Sequence, residues 1–382
     1  MLRALVPLTV AVLATWFLFA QPAPEPAEEP TVTFNDLLPF FSPPDEFKDK
    51  LGDFRSTMKF DDGSAVKSPA DWPRRRAEIL KYWHSVMGEW PALVAKPRVE
   101  FVAKEHVENF TRHKVRVETA TDKLQDAYLL VPDGQGPFPA VLVVFYDPES
   151  GAGLSEKQRG RVDWGYQLAK RGFLTLSIGG PPSGPKSVQP LSWLAYCAAN
   201  VNTFLRSLPE VDPKRIGVVG HSFGGKWAMF ASCLDERFAC AVWCDPGIVW
   251  NEKDANANYW EPWYLGLDPG LPAQRKPGIP SDANPRTGAY KRLVAEGRDL
   301  HELHALMAPR PFLVSGGAQD RPEHWVVLNH AIALNKSLGF ENRVAMTLRD
   351  GHSPTPASNA QVRAFFEHFL KEPKPQSRTG AE

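Results

Sequence analysis

Cysteine is scarce in this sequence, with four in 382 residues, so a fold stapled mainly by disulfides is excluded and a hydrophobic core must hold the chain together. An excess of either charge is also missing. Forty-four basic residues meet forty-four acidic ones, which leaves no polycationic footprint and argues against nucleic acid as a partner. No apolar run reaches the roughly 20 residues that a membrane-spanning helix needs. No internal repeat is found, which removes solenoids and propellers. His301 and His304 are the one histidine pair at helical ligand spacing, yet no third ligand accompanies them. A metal site is therefore not expected, and a solvated or capping role suits both.

The longest apolar run, Ala4 to Ala20, follows Met1-Leu2-Arg3 and precedes a Pro/Glu-rich linker over 21–30. A basic start, an apolar middle and a small residue near its end are the grammar of an export signal, with an uncleaved anchor as the alternative. Secretion or a periplasmic location is expected, and an anchor would add a membrane contact. The cysteines Cys197, Cys233, Cys240 and Cys244 then read as buried apolar residues or as disulfide partners. Cys240 and Cys244 cannot bridge each other, since four residues of strand span about 13 Å.

Residues 31–97 form an N-terminal extension. Within it Ser68-Pro69-Ala70-Asp71 has the chemistry of a helix start, and Trp72, Ile79, Leu80, Trp83, Val86 and Met87 then recur at helical spacing, as a packing face does. From residue 98 the pattern becomes an alternation. Short strands are predicted at Val99 to Val107, His113 to Thr119 and Ala127 to Val131. Buried strands follow at Ala140 to Tyr146, Phe173 to Ile178, Ile216 to Val219, Phe238 to Cys244, Phe312 to Ser315 and Val344 to Leu348. Helices are predicted at Asp163 to Arg171, Leu191 to Leu208, Gly225 to Leu234, His324 to Leu338 and Ala360 to Leu370. Nearly continuous apolar strands between helices indicate an α/β domain over 98–372, its mostly parallel sheet covered on both faces. Residues 373–382 read as a disordered tail. Residues 246–300 interrupt the alternation with a long aromatic insertion, read as a cap over a substrate cleft, in which Trp250, Trp260 and Trp263 are candidate ligand contacts.

Gly220-His221-Ser222-Phe223-Gly224 follows one apolar strand and opens a helix. A sharp strand-to-helix turn exposes a serine hydroxyl above the sheet, and the helix N-terminus beyond it offers N–H groups to an oxyanion, so Ser222 is the expected nucleophile. A second Gly-His-Ser at Gly351-His352-Ser353 is followed by Pro354, which forbids the same turn. Its His352, on a loop after the last strand, is instead the expected base, while His221 packs or bonds structurally. The acid that orients His352 should follow a late strand. Asp320 gives the chain order serine, acid, histidine, and Asp245 is the alternative. The oxyanion donors expected are the backbone N–H groups of Phe223 and Tyr146.

On these motifs the chain resembles the α/β-hydrolase superfamily over Val99 to Leu370, and within it the relatives of dienelactone hydrolase, acetyl xylan esterase and glucuronoyl esterase. Leu306-Met307-Ala308-Pro309-Arg310-Pro311-Phe312 resembles their passage into the strand before the acid. Glucuronoyl esterases carry a lysine four residues after the nucleophile, matched by Lys226, and this resemblance implies a role in recognising the sugar acid. Read on its own, Lys226 is a helix-surface lysine that reaches solvent. Where those esterases have an arginine directly after the nucleophile, this chain has Phe223. The implied activity is hydrolysis of a carbohydrate-linked ester through an acyl-enzyme, without a cofactor. The alternatives are a peptidase of prolyl oligopeptidase type and a catalytically silent binding protein.

Overall fold

The computed structural model describes residues 30–371. The signal-or-anchor segment, the tail and all but the last residue of the linker lie outside them. Nine strands form one sheet in the order β1-β2-β3-β5-β4-β6-β7-β8-β9. Strands β1 (Val99–Val107), β2 (Phe110–Ala120) and β3 (Lys123–Pro132) run antiparallel, as tight turns between them require, and β3 pairs antiparallel with β5. The rest, β4 (Phe138–Val144), β5 (Leu174–Ile178), β6 (Val211–His221), β7 (Cys240–Cys244), β8 (Phe312–Gly316) and β9 (Val344–Leu348), are parallel.

Alternation along each strand divides the core. Leu142, Val144, Leu176, Val218, Trp243 and Val314 face one layer, built from the helices α1 (Trp72–Met87), α3 (Pro190–Ser207), α4 (Phe223–Leu234) and α5 (Trp325–Ser337). Val141, Val143, Val219, Val242 and Leu313 face the other, where α2 (Trp164–Ala169) and α6 (Pro356–Phe366) supply Trp164, Leu168, Phe365 and Phe366. The expected elements are all present, with ends displaced by a few residues. β6 runs on to His221, so the strand delivers the chain directly into the turn at Ser222.

Two expected boundaries dissolve into this core. The N-terminal extension packs Trp72, Ile79, Trp83 and Met87 into the same cluster as the sheet, and its Trp83 indole donates to Glu302 at 3.2 Å. The insertion likewise buries Tyr259, Trp260, Tyr264 and Tyr290 in that cluster. All four cysteines are buried and free, which resolves their reading in favour of small apolar residues. Among the described residues no helix is long and apolar enough to cross a membrane.

His301 and His304 depart from expectation. Both are wholly buried, and among the described residues no cluster of His, Cys, Asp and Glu has the arrangement of a metal site. His301 Nε2 lies 2.7 Å from the Arg55 carbonyl, and its ring lies 4.8 Å from that of His330. Burial brings His301 down to about 3, and burial also holds His304 well below the ordinary imidazole range. The folded protein keeps these rings neutral while the unfolded chain takes up protons below about pH 6.5, so stability must fall as pH falls. The thermal midpoint should therefore decline progressively from pH 6.5 towards pH 4. Scanning calorimetry that found a flat or rising midpoint over that range would contradict this.

Candidate active site

The strand order reverses around β4: the chain passes from β4 to β5 on one side, and β6 lies on the other. In an open parallel sheet such a reversal opens a crevice at the strands' C-terminal ends, which is where Tyr146 after β4 and Ser222 after β6 sit. Ser222 occupies φ 55°, ψ −111°, a left-handed backbone that side chains rarely adopt, between the last residue of β6 and the first of α4. Its N–H donates to the Cys244 carbonyl at 2.9 Å and its carbonyl accepts from Lys226 at 2.9 Å, so β7 and the first helical turn pin it from both sides.

The glycines around it are required by space. A Cβ on Gly220 would lie 2.1 Å from the Gly224 carbonyl oxygen, and one on Gly224 would lie 2.2 Å from that of Val144. Only bare backbone permits the helix to start this close to β4. Phe223 is the first residue of α4, so its N–H has no partner within the helix, and Tyr146 donates no backbone hydrogen bond among the described residues. Both expected oxyanion donors are thus uncommitted, and the positive end of the α4 dipole lies beside them. The Phe223 ring stacks on that of Tyr146 at 4.7 Å.

His352 stands beside this turn, its ring centred 4.5 Å from that of His221 and its side chain 39% exposed. Its Nδ1 lies 2.5 Å from Asp245 Oδ2, and Asp245 is completely buried. The structure thereby corrects the expected acid. Asp320 makes no hydrogen bond or ion pair with His352. Its two carboxylate oxygens accept the backbone N–H groups of Gly247 at 3.0 Å and Ile248 at 2.7 Å, and His324 Nδ1 lies 3.4 Å away. Asp245 Oδ1 accepts in return from the N–H groups of Gln319 and Asp320, at 3.0 and 2.9 Å. The two carboxylates interlock the loops after β7 and β8, and only the one after β7 is turned towards the histidine. A Cβ on Gly317 would come within 2.3 Å of the Gly351 carbonyl oxygen and 3.0 Å of Asp245 Oδ2, so this glycine leaves room for the pair. His221 bonds structurally, as expected: Nδ1 lies 3.2 Å from the Cys244 carbonyl, and burial, with smaller repulsion from His352 and Arg349, brings it to about 3. Being neutral there, it must carry its proton on Nδ1 to meet a carbonyl.

The prolyl oligopeptidase family model matches residues 198–372, which hold the elbow, both aspartates and His352. Over 81% of this chain and 79% of its own length, the 4-O-methyl-glucuronoyl methylesterase of Neurospora crassa is 23% identical. Among solved structures, glucuronoyl esterase from Solibacter usitatus superposes with a TM-score of 0.66 at 18% identity, covering 82% of this chain and 97% of that one. Glucuronoyl esterase from Sporotrichum thermophile, solved in complex with methyl 4-O-methyl-β-D-glucopyranuronate, gives a TM-score of 0.54 at 21% identity over 85% of this chain and 89% of that one. The chain has the α/β-hydrolase fold.

The four residues expected to touch substrate differ widely in exposure. Lys226 does not reach solvent. It is buried in the first turns of α4, where Nζ donates to the Pro246 carbonyl at 2.6 Å, lies 3.4 Å from that of Asn256 and faces the rings of Tyr259 and Tyr264 at 4.8 and 5.7 Å. Burial lowers its ammonium to about 8, against the opposing pull of Asp320, Asp245 and Asp254. Trp260 is core, 1% exposed, with its indole N–H on Glu261 at 3.0 Å. Trp250 is half-buried and tied to the Arg298 carbonyl at 2.7 Å. Trp263 is 46% exposed.

The interlock separates the two aspartates experimentally. Asp320→Ala leaves two buried N–H groups unsatisfied, at about 1–3 kcal/mol each, and should lower the unfolding free energy accordingly. Chemical denaturation showing no loss of stability would contradict the loop-holding role.

Proposed function

We propose that the protein is a serine carboxylic ester hydrolase that works through an acyl-enzyme on a carbohydrate-linked ester, with a glucuronoyl ester as the first candidate. The observation that carries this reading is the serine at φ 55° on a strand-to-helix turn, with a histidine packed 4.5 Å from the ring of the preceding His221 and bonded at 2.5 Å to a buried carboxylate. Ser222 Oγ attacks the ester carbonyl while His352 Nε2 takes its proton. Asp245 holds Nδ1–H, fixes the tautomer and stabilises the imidazolium as it forms. The backbone N–H groups of Phe223 and Tyr146 receive the oxyanion. His352 then returns the proton to the leaving alcohol, and a water activated by the same ring hydrolyses the acyl-enzyme.

A sugar-acid substrate is supported by the glucuronoyl esterases that share the fold and by Lys226, which sits one helical turn beyond the nucleophile. An ammonium has three donors. Protein carbonyls engage two, at 2.6 and 3.4 Å, which leaves one for a substrate oxygen. The basic start and apolar run of the first twenty residues support export.

The test compares wild type with Ser222→Ala on a glucuronoyl methyl ester, acetylated xylan and short chromogenic esters. Release from one sugar ester should fall by several orders of magnitude in the variant. Equal rates in the two proteins would overturn the mechanism. If Lys226 contacts the sugar acid, Lys226→Met should lose about tenfold in kcat/KM on the glucuronoyl ester while sparing a short acyl ester, the worth of one charged hydrogen bond. With the ammonium at about 8, that advantage should be present below pH 8 and fade above it. Equal losses on both esters would remove Lys226 from substrate recognition.

A further inference from the structure

Arg349, directly after β9, has a side chain only 6% exposed, and its contacts converge on the loops that carry His352 and Asp245. Nη1 lies 2.7 Å from the Ser315 carbonyl, 3.0 Å from that of Gly316 and 3.2 Å from Ser315 Oγ, all at the end of β8. Nε donates to the Ser353 carbonyl at 2.9 Å and Nη2 to the carbonyl of His352 itself. Asp245 Oδ2, the oxygen that binds His352, is 3.9 Å from Nη2. The groups that face this guanidinium are therefore Asp245 and Cys244 from the end of β7, His352 from its own loop and, from β6, His221, whose protonation its charge opposes.

A guanidinium is a planar fork with donors in fixed directions. Here one edge grips the end of β8 and the other grips the carbonyls of His352 and Ser353, just after the His352 side chain. The bare Gly317 makes this possible, since a Cβ there would lie 3.2 Å from Arg349 Cζ. Without the fork, the loop 350–354 would be tied at this point to β8 only by the Arg349 N–H, 3.2 Å from the Gly316 carbonyl. We infer that Arg349 is the positioning residue of the site: it clamps the His352 loop to β8 and sets a fixed positive charge beside Asp245, so that the imidazole keeps its short bond to the carboxylate. The effect on rate rests on the esterase reading above, whereas the effect on geometry does not.

The experiment uses the full chain carrying Arg349→Met and Arg349→Lys. In each, kcat and KM are measured on the best ester of the panel, the fold is checked by circular dichroism, and the downfield imidazole N–H resonance of the His352–Asp245 bond is followed by proton NMR. Arg349→Met should lose about 100-fold in kcat, the cost of a displacement near 1 Å, with KM changed by less than about threefold and the resonance lost from a folded protein. Arg349→Lys, which keeps the charge without the fork, should recover only part of both. A folded Arg349→Met protein with wild-type kcat and an intact resonance overturns the inference. If Arg349→Met does not fold, a folded Arg349→Lys protein with wild-type kcat and resonance overturns it equally. Should wild type cleave no ester, the resonance alone decides: its loss in either folded variant supports the clamp although the esterase reading has failed, and its persistence in both overturns the clamp.

Discussion

The site depends on one backbone constraint: Ser222 must stay at a positive φ that costs of order 1–3 kcal/mol and that the surrounding structure has to enforce. Enforcement comes from a parallel strand held between β4 and β7, a helix that begins in the next residue, and two glycines that allow carbonyl oxygens of β4 and α4 to approach where a Cβ would clash. Once that turn is fixed, the hydroxyl stands at the point where the sheet order reverses, with the helix's unpaired N–H groups beside it. The remaining parts need only be carried to the same edge by the loops after β7, β8 and β9.

That delivery is where reading the sequence succeeded and where it stopped. The strand, Gly-His-Ser-Phe-Gly and helix were legible because the constraint is local: apolar run, glycine, helix start. His352 was legible by contrast with its own sequence repeat, since Pro354 rules out a second elbow. The acid was not. Asp245 and Asp320 follow adjacent parallel strands, and chain order favours the later one. What decides between them is the direction of each side chain after the strand ends. Asp245 turns at φ 50° towards His352, whereas Asp320 is spent on the N–H groups of Gly247 and Ile248, and no local pattern encodes such a long-range exchange.

The same limit explains the insertion. Many Pro, Gly and Asn residues with several aromatics read as a cap, yet Tyr259, Trp260 and Tyr264 pack into the core cluster that α1 also enters. Aromatic residues carry enough apolar area to make a loop-rich segment structural, and composition does not distinguish a wall of the core from a lid over a cleft. Lys226 follows from this. An ammonium in the first turns of a helix reaches water by default, but here the insertion closes over it with two tyrosine faces and two carbonyls, leaving a desolvated cation in the wall of the site.

The proposed mechanism activates Ser222 by His352 through Asp245 rather than Asp320. Its most direct test is the rate at which a fluorophosphonate labels wild type, Asp245→Asn and Asp320→Asn, read by intact mass and peptide mapping. Wild type should give a single adduct on Ser222, labelling should be slowed by orders of magnitude in folded Asp245→Asn, and the effect in folded Asp320→Asn should be far smaller. Wild-type labelling in Asp245→Asn alongside its loss in Asp320→Asn would contradict it.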